Sequence, residues 1–205
     1  MLGQNVNNDK DRELVEQVLK RDDEAFRVLI KDNQRLVFSI VFKMLNNNAD
    51  SKDVCQDIFI KVYQSLPGFN FNSKLSTWIA RIAYNTCINH LRKHKIQLLD
   101  DVIHSSDEER IDENNPIDFI EDTNAIRPDK VLYLNEMKQH LEVEMQLLSP
   151  VLRTILVLYH QEERSYEEIA EIVKIPIGTV KSYLFRARSN LKNSILKKYK
   201  KEDLL

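Results

Sequence analysis

Apolar residues recur along most of the chain every three or four positions, the spacing of an amphipathic helix rather than of a strand. After a polar, frayed start over residues 1–10, Leu14, Val15, Val18 and Leu19 predict a short first helix. Asp22 or Asp23 caps a second, which runs through Phe26, Leu29, Ile30, Val37, Ile40 and Val41 to about Leu45, where Asn46-Asn47-Asn48 stops it. A third, from Asp50 to about Leu66, buries Cys55, Ile58, Phe59, Val62 and Leu66. Its opposite side carries Asp53, Gln56, Asp57, Lys61 and Gln64, with Ile60 standing alone among them. A lone exposed apolar side chain is ordinary on a polar face, and it is also what the centre of a protein-docking surface looks like. Pro67-Gly68 then breaks the chain, and Phe69-Asn70-Phe71-Asn72 reads as an exposed loop with two aromatic rings.

Ser73 or Ser76 starts a fourth helix reaching about Lys95, with Ala80, Tyr84, Cys87, Ile88 and Leu91 on its core face. A second face holds Trp78, Arg81, Asn85, Asn89 and Arg92. Amides bond base edges, aromatics stack on bases and guanidinium groups hold phosphates, so this face suits nucleic acid. An ordinary solvated face with Trp78 in the core is the alternative. The period is lost over residues 97–130 and returns near Pro128-Asp129, where Leu134, Met137, Leu141, Met145 and Leu148 form the next stripe. Ser149-Pro150, as N-cap and first helical residue, opens a helix carrying Val151, Leu152, Ile155, Leu156 and Tyr159.

Two more helices follow with a tight break between them. Ser165 and Glu168 form a capping-box pair ahead of Tyr166, Ile169, Ala170 and Val173. Lys174-Ile175-Pro176-Ile177 interrupts the period, because proline fixes its own φ and drives its predecessor out of the helical region. The final helix buries Val180, Leu184, Ala187 and Leu191 and turns out Gly178, Lys181, Ser182, Phe185 and Arg186. This is the helix-turn-helix pattern. Between Lys181 and Lys201 there are eight basic residues and no acidic one, the footprint of a nucleic-acid contact. Two core helices of an unrelated helical protein would share the apolar stripe.

Composition narrows the picture. With 3 glycines and 5 prolines in 205 residues, a β-rich fold lacks its turns, and the chain is expected to be all-α. The net charge of -2 conceals a division: the first 96 residues and the last 75 are mildly basic, while residues 97–130 carry three basic against eleven acidic side chains. The expected organisation is two small helical domains, 10–96 and 131–200, joined by a flexible acidic linker over 97–130. Cys55 and Cys87 each fall in an apolar stripe and read as buried thiols. No Cys/His set has zinc spacing, and no nucleophile–base pair or glycine-rich phosphate loop appears, so neither a metal, nor a cofactor, nor a catalytic residue is assigned. The start is polar and no apolar run approaches the roughly 20 residues of a membrane span, so a cytoplasmic protein without membrane insertion is expected.

Four stretches together resemble the bacterial sigma factors of the extracytoplasmic-function group of the sigma-70 family: DSKDVCQDIFIKVYQSLPGF (50–69), STWIARIAYNTCINHLRK (76–93), LSPVLRTILVLYHQEERSYEEIA (148–170) and IPIGTVKSYLFRARSNLK (175–192). The resemblance implies a sigma region 2-like domain and a sigma region 4-like domain, with core RNA polymerase and promoter DNA as partners. It implies that Asp53, Gln56, Asp57, Ile60 and Lys61 dock on the clamp helices of the largest polymerase subunit, and that the second domain meets the flap. It assigns recognition and melting of the -10 element to Gly68, Phe69, Trp78, Asn85, Asn89 and Arg92. It assigns the -35 element to Thr179, Lys181, Ser182, Phe185, Arg186 and Arg188, Thr179 and Arg188 mainly holding phosphates. An anti-sigma factor, holding the protein inactive at the inner membrane face until a signal releases it, is a further implied partner.

The chain departs from the family pattern at Tyr183 and Lys181, where arginine is frequent, and at Phe69-Asn70-Phe71-Asn72, where Phe-Arg-Gly and an acidic residue are common. Lysine in place of arginine loses bidentate geometry towards guanine. The acidic segment, with Asp107, Glu108, Glu109, Asp112 and Glu113, is expected either to lie on a basic polymerase surface or to act as a solvated spacer. Two rival readings stand beside the sigma factor: a dimeric regulator with a palindromic site, and an interaction module such as an anti-sigma or adaptor protein.

Overall fold

The computed structural model describes residues 2–45, 50–93 and 128–198, and all their regular elements are helices. They are α1 (Leu2–Leu19), α2 (Asp23–Met44), α3 (Ser51–Ser65), α4 (Leu75–Lys93), α5 (Pro128–Leu147), α6 (Pro150–His160), α7 (Tyr166–Val173) and α8 (Ile177–Lys198), with a single 3-10 turn at Leu66–Gly68. The Asn46–Asn48 stop, the acidic segment apart from Pro128–Lys130, His94 and the lysines at 200 and 201 lie outside the described residues.

Local signals place most helix ends. Asp22 is the N-cap of α2, its carboxylate accepting from the N–H groups of Glu24 and Ala25. Ser149 caps α6 through the Leu152 N–H, with Pro150 at the first helical position. Two ends differ from expectation. α1 extends back to Leu2, through the stretch where an irregular start was expected, and from its next turn Asp11 Oδ2 accepts the N–H of Leu75 at 3.2 Å. That bond also explains why α4 starts at Leu75 and not at a serine: a carboxylate 64 residues away satisfies its first N–H group.

α2 is the pillar of the fold, packed on α1, α3 and α4 and also on α6. Leu29, Val37, Ile40, Ile58, Val62, Ile79 and Cys87 are buried in one continuous apolar cluster that reaches Ile155, Leu158, Ile169, Ile172 and Leu184 in the second half of the chain. α4 meets α7 along the same cluster. A second, smaller core joins α5, α6 and α8 through Met145, Leu148, Leu156, Val157, Ala187 and Leu191. The side chain of Leu134 lies outside the described residues, and Met137 and Leu141 of that stripe are only half-buried.

Between the two cores sits Arg153, 2% exposed. It donates through Nε to the carbonyl of Met145 (2.8 Å), through Nη2 to those of Gln146 (2.7 Å) and Leu148 (2.8 Å), and through Nη1 to that of Lys43 (2.8 Å). These carbonyls lie at the ends of α5 and α2, where donors within the helix run out and the negative end of the helix dipole gathers, and that of Met145 also accepts the Leu148 N–H at 3.3 Å. One cation thus caps two helices. Burial lowers its pKa, and the hydrogen bonds keep its charge satisfied.

Candidate nucleic-acid and protein interfaces

The first candidate surface is the outer side of α3. Val54, Cys55, Ile58, Phe59 and Val62 face the core, which leaves Asp53, Gln56, Asp57 and Lys61 in solvent and Ile60 48% exposed. Lys61 Nζ donates to Thr86 Oγ1 at 3.4 Å, so α4 steadies this edge. The five residues share one exposed helical face, as the period requires.

The second surface lies at the start of α4 and along it. Here the loop differs from the sequence expectation. Phe69 is not exposed: it is buried with Trp78, the ring centroids 5.1 Å apart, and Phe71 tilts onto it at 4.6 Å. The Arg12 guanidinium lies 5.2 Å over the Phe71 ring, closing the stack from α1. Polar neighbours Asn70 and Asn72 make the stretch look solvated, yet aromatic area within reach of a tryptophan buries itself. Phe71 takes a left-handed backbone (φ 58°), a cost the ring packing offsets. Gly68 is exposed, and a Cβ there would meet open space. Beyond the stack, Asn85, Asn89 and Arg92 form an open polar stripe at i, i+4 and i+7. Trp78, two turns before Asn85, buttresses the stripe from inside rather than standing in it.

The third surface is the helix-turn-helix. Ser165 Oγ accepts from the Glu168 N–H (3.2 Å) and Glu168 Oε2 from the Ser165 N–H (3.0 Å), the complete capping box. Lys174 ends α7 in the left-handed conformation (φ 60°), and the Pro176 carbonyl accepts from the N–H groups of Thr179 and Val180 to begin α8. The turn is therefore made jointly by Lys174 and Pro176. On α8, Lys181 and the 45% exposed Phe185 stand outward, with Thr179, Ser182 and Arg186 half-buried beside them. Ser182 Oγ is tied back to the Gly178 carbonyl at 3.0 Å.

Sequence reasoning missed an aromatic platform behind this helix. Tyr159 and Tyr166 stack with centroids 5.1 Å apart and hydroxyls within 3.4 Å. Lys181 lies over Tyr166 (5.6 Å) and Arg188 over Tyr159 (5.0 Å). Arg188 Nε also donates to His160 Nε2 at 3.1 Å, which requires that nitrogen to be unprotonated. Burial and the Arg188 charge hold the His160 pKa below its ordinary value. The hydrogen bond from Tyr166, followed by the bond and charge of Arg188, pulls the Tyr159 phenol down against burial. The aromatic spacing on the two preceding helices was the available signal. Arg188 is thus braced against the platform by a ring and a hydrogen bond, whereas Lys181 rests on it through the Tyr166 ring and stays exposed.

Among the described residues no group of three or more His, Cys, Asp or Glu could hold a metal ion, and no helix is long and apolar enough to cross a membrane. Burial raises the thiol of Cys55 to about 11 and that of Cys87 to about 12.

Comparison with known proteins covers the same ground. Residues 29–96 match the family model of sigma-70 region 2, and residues 139–191 that of sigma-70 region 4. The RNA polymerase sigma-H factor of Pseudomonas aeruginosa is 31% identical over 190 residues, spanning 93% of this chain and 96% of that protein. The ECF RNA polymerase sigma-E factor of Haemophilus influenzae is 33% identical over 185 residues, 90% of this chain and 95% of that one. Among solved structures, CnrH in complex with the cytosolic domain of CnrY covers 89% of this chain and 95% of its own at a TM-score of 0.58 and 20% identity. The sigma factor RpoE of Bartonella quintana, in complex with the anti-sigma factor NepR, covers 84% and 96% at a TM-score of 0.58 and 22% identity.

Proposed function

Because the chain belongs to the sigma-70 family, in its extracytoplasmic-function group, we propose that it binds core RNA polymerase and directs transcription initiation at promoters with -10 and -35 elements. The observation that carries the reading is the presence, in one chain and in family order, of three polar surfaces suited to three different tasks. Asp53, Gln56, Asp57, Ile60 and Lys61 of α3 dock on the clamp helices of the polymerase's largest subunit. Ile60 supplies an apolar centre inside a charged rim, the usual anatomy of a protein contact.

Asn85, Asn89 and Arg92, backed by Gly68, Phe69 and Trp78, receive the -10 element. Unstacking one base costs a few kcal/mol, which aromatic and amide contacts to the extruded base offset. Melting driven by binding needs no catalytic group, and none is assigned. Lys181, Ser182, Phe185 and Arg186 read the -35 element in the major groove, each good base contact discriminating by about 1–3 kcal/mol, while Thr179 and Arg188 mainly hold phosphates. An anti-sigma factor restrains the protein in the cytoplasm, where it acts.

The test is run-off transcription by core polymerase on pooled genomic promoter fragments, with and without the protein. Discrete transcripts that appear only in its presence are expected. Silence combined with tight binding of fragments by the protein alone would make it a conventional regulator instead.

A further inference from the structure

The start of α4 and the loop before it are held from outside, by two neighbouring side chains of α1. Val15 and Val18 are buried in the core, Leu14 packs against it, and α1 also touches the 3-10 turn at Leu66–Gly68. From the turn before, Asp11 Oδ2 accepts the N–H of Leu75 at 3.2 Å. Lys74, just ahead of α4, accepts the Trp78 N–H through its carbonyl at 3.1 Å, but its side chain has donors only and cannot cap the helix. The cap is a carboxylate supplied by α1, whose charge suits the positive end of the helix dipole. Arg12 reaches earlier in the loop, its guanidinium 5.2 Å over the Phe71 ring.

Between these two anchors the backbone is strained. Phe71 is left-handed at φ 58°, a conformation that a bulky side chain disfavours. Local help is slight, with the Asn72 N–H donating to Asn70 Oδ1 at 3.4 Å. The Phe71 ring lies on Phe69 at 4.6 Å and Phe69 on Trp78 at 5.1 Å, so Arg12 closes a column of rings that ends in α4. Gly68, Asn70 and Asn72 stay in solvent around that column. Arg12 is itself exposed, so the core gains little from it and the loop gains most.

We propose that Asp11 and Arg12 are positioning residues for the -10 element, holding the loop 68–72 and the first turn of α4 in the shape that receives the DNA strand, without touching it. A loop already in its bound shape loses no affinity to ordering. The clip therefore sets affinity for the melted strand and leaves polymerase docking on α3 and -35 binding on α8 alone. This rests on the promoter-directing reading of the chain.

The probe is a fluorescent single-stranded oligonucleotide with the non-template -10 sequence of a promoter found by run-off transcription, titrated with holoenzyme. Arg12→Ala and Asp11→Ala are each expected to weaken binding roughly three- to tenfold, as the competent fraction of the loop falls. Arg12→Lys keeps a cation for the ring and Asp11→Asn an oxygen for the Leu75 N–H, so both are expected to recover most of the loss. Binding of core polymerase and of duplex -35 DNA should not change in any of the four. An arginine that held a phosphate directly would behave otherwise: its removal would flatten the salt dependence by a slope of about 0.7. Positioning predicts an unchanged slope, and no further loss when Arg12→Ala is added to Phe71→Leu. A flattened slope, a full extra loss on the Phe71→Leu background, conservative variants as weak as the alanines, or alanines that bind like the wild type would overturn the proposal. Wild-type holoenzyme that gives neither transcripts nor strand binding would instead bring down the sigma-factor reading, and this proposal with it.

Discussion

Replacing Arg153 by methionine keeps most of the side chain's length and removes all of its hydrogen bonds. The bonds to Met145 and Leu148 are buried, but the Met145 carbonyl keeps the Leu148 N–H at 3.3 Å, so the Leu148 carbonyl is the one that loses its donor, at a cost of about 1–3 kcal/mol. Those to Lys43 and Gln146 are partly exposed, and water can take over there. Methionine recovers something, because a desolvated cation is no longer held in the interior. The balance is a loss of about 2 kcal/mol, or a fall in Tm of about 4–8 °C for a chain of this size. Urea unfolding followed by far-UV circular dichroism and by the fluorescence of Trp78, the only tryptophan, gives the difference in both signals. Arg153→Lys is expected to recover little, since one ammonium cannot reach four carbonyls in a fixed fork. A loss below about 1 kcal/mol for the methionine variant would refute the view that this cation caps α5 and α2 together.

Other expectations follow from single features. Cys55 and Cys87 should resist alkylation at mildly alkaline pH and react at once in denaturant, because burial holds both pKa values well above that of a free thiol. His160 titrates below its ordinary value of 6.5, so the unfolded chain takes up the proton first as pH falls. The stability due to its neutral ring is complete above about 6.5 and is lost as pH drops through the folded value, and Arg188→Met should move the imidazole titration, followed by NMR, back upwards. Asn85→Ala with Asn89→Ala should impair binding of single-stranded -10 DNA and leave duplex -35 binding unchanged, while Lys181→Ala should do the reverse. Tyr166→Leu should lower -35 affinity while Tyr166→Phe does not, as only the ring face holds Lys181.

Legibility of the sequence followed the range of each interaction. The caps at Asp22, Ser149 and Ser165, the stripes of α2, α3, α4, α6 and α8, and the outward residues of α8 are all set within a few residues of chain, and periodicity exposes them. Asp11 at the start of α4, Arg153 beneath Lys43 and Glu168 beside Lys74 are decided by residues many positions distant, about which local spacing says nothing. Phe69 misled because its neighbours are asparagines and its partner, Trp78, lies across a turn. Lys174 carries no mark of a left-handed residue, a place glycine or asparagine more often takes. The family resemblance pointed to faces of α3, α4 and α8 but not to the platform of Tyr159 and Tyr166, which only packing reveals.

Glu168 divides its carboxylate between two tasks, Oε2 bonding the Ser165 N–H and Oε1 facing Lys74, Thr77 and Arg164. One carboxylate thus makes the start of a helix and its seat on the first half of the chain a single cooperative unit, neither of which is lost alone. Hydrogen exchange at the amides of α7 should therefore quicken on Glu168→Ala and on Lys74→Ala by amounts that do not add in the double variant.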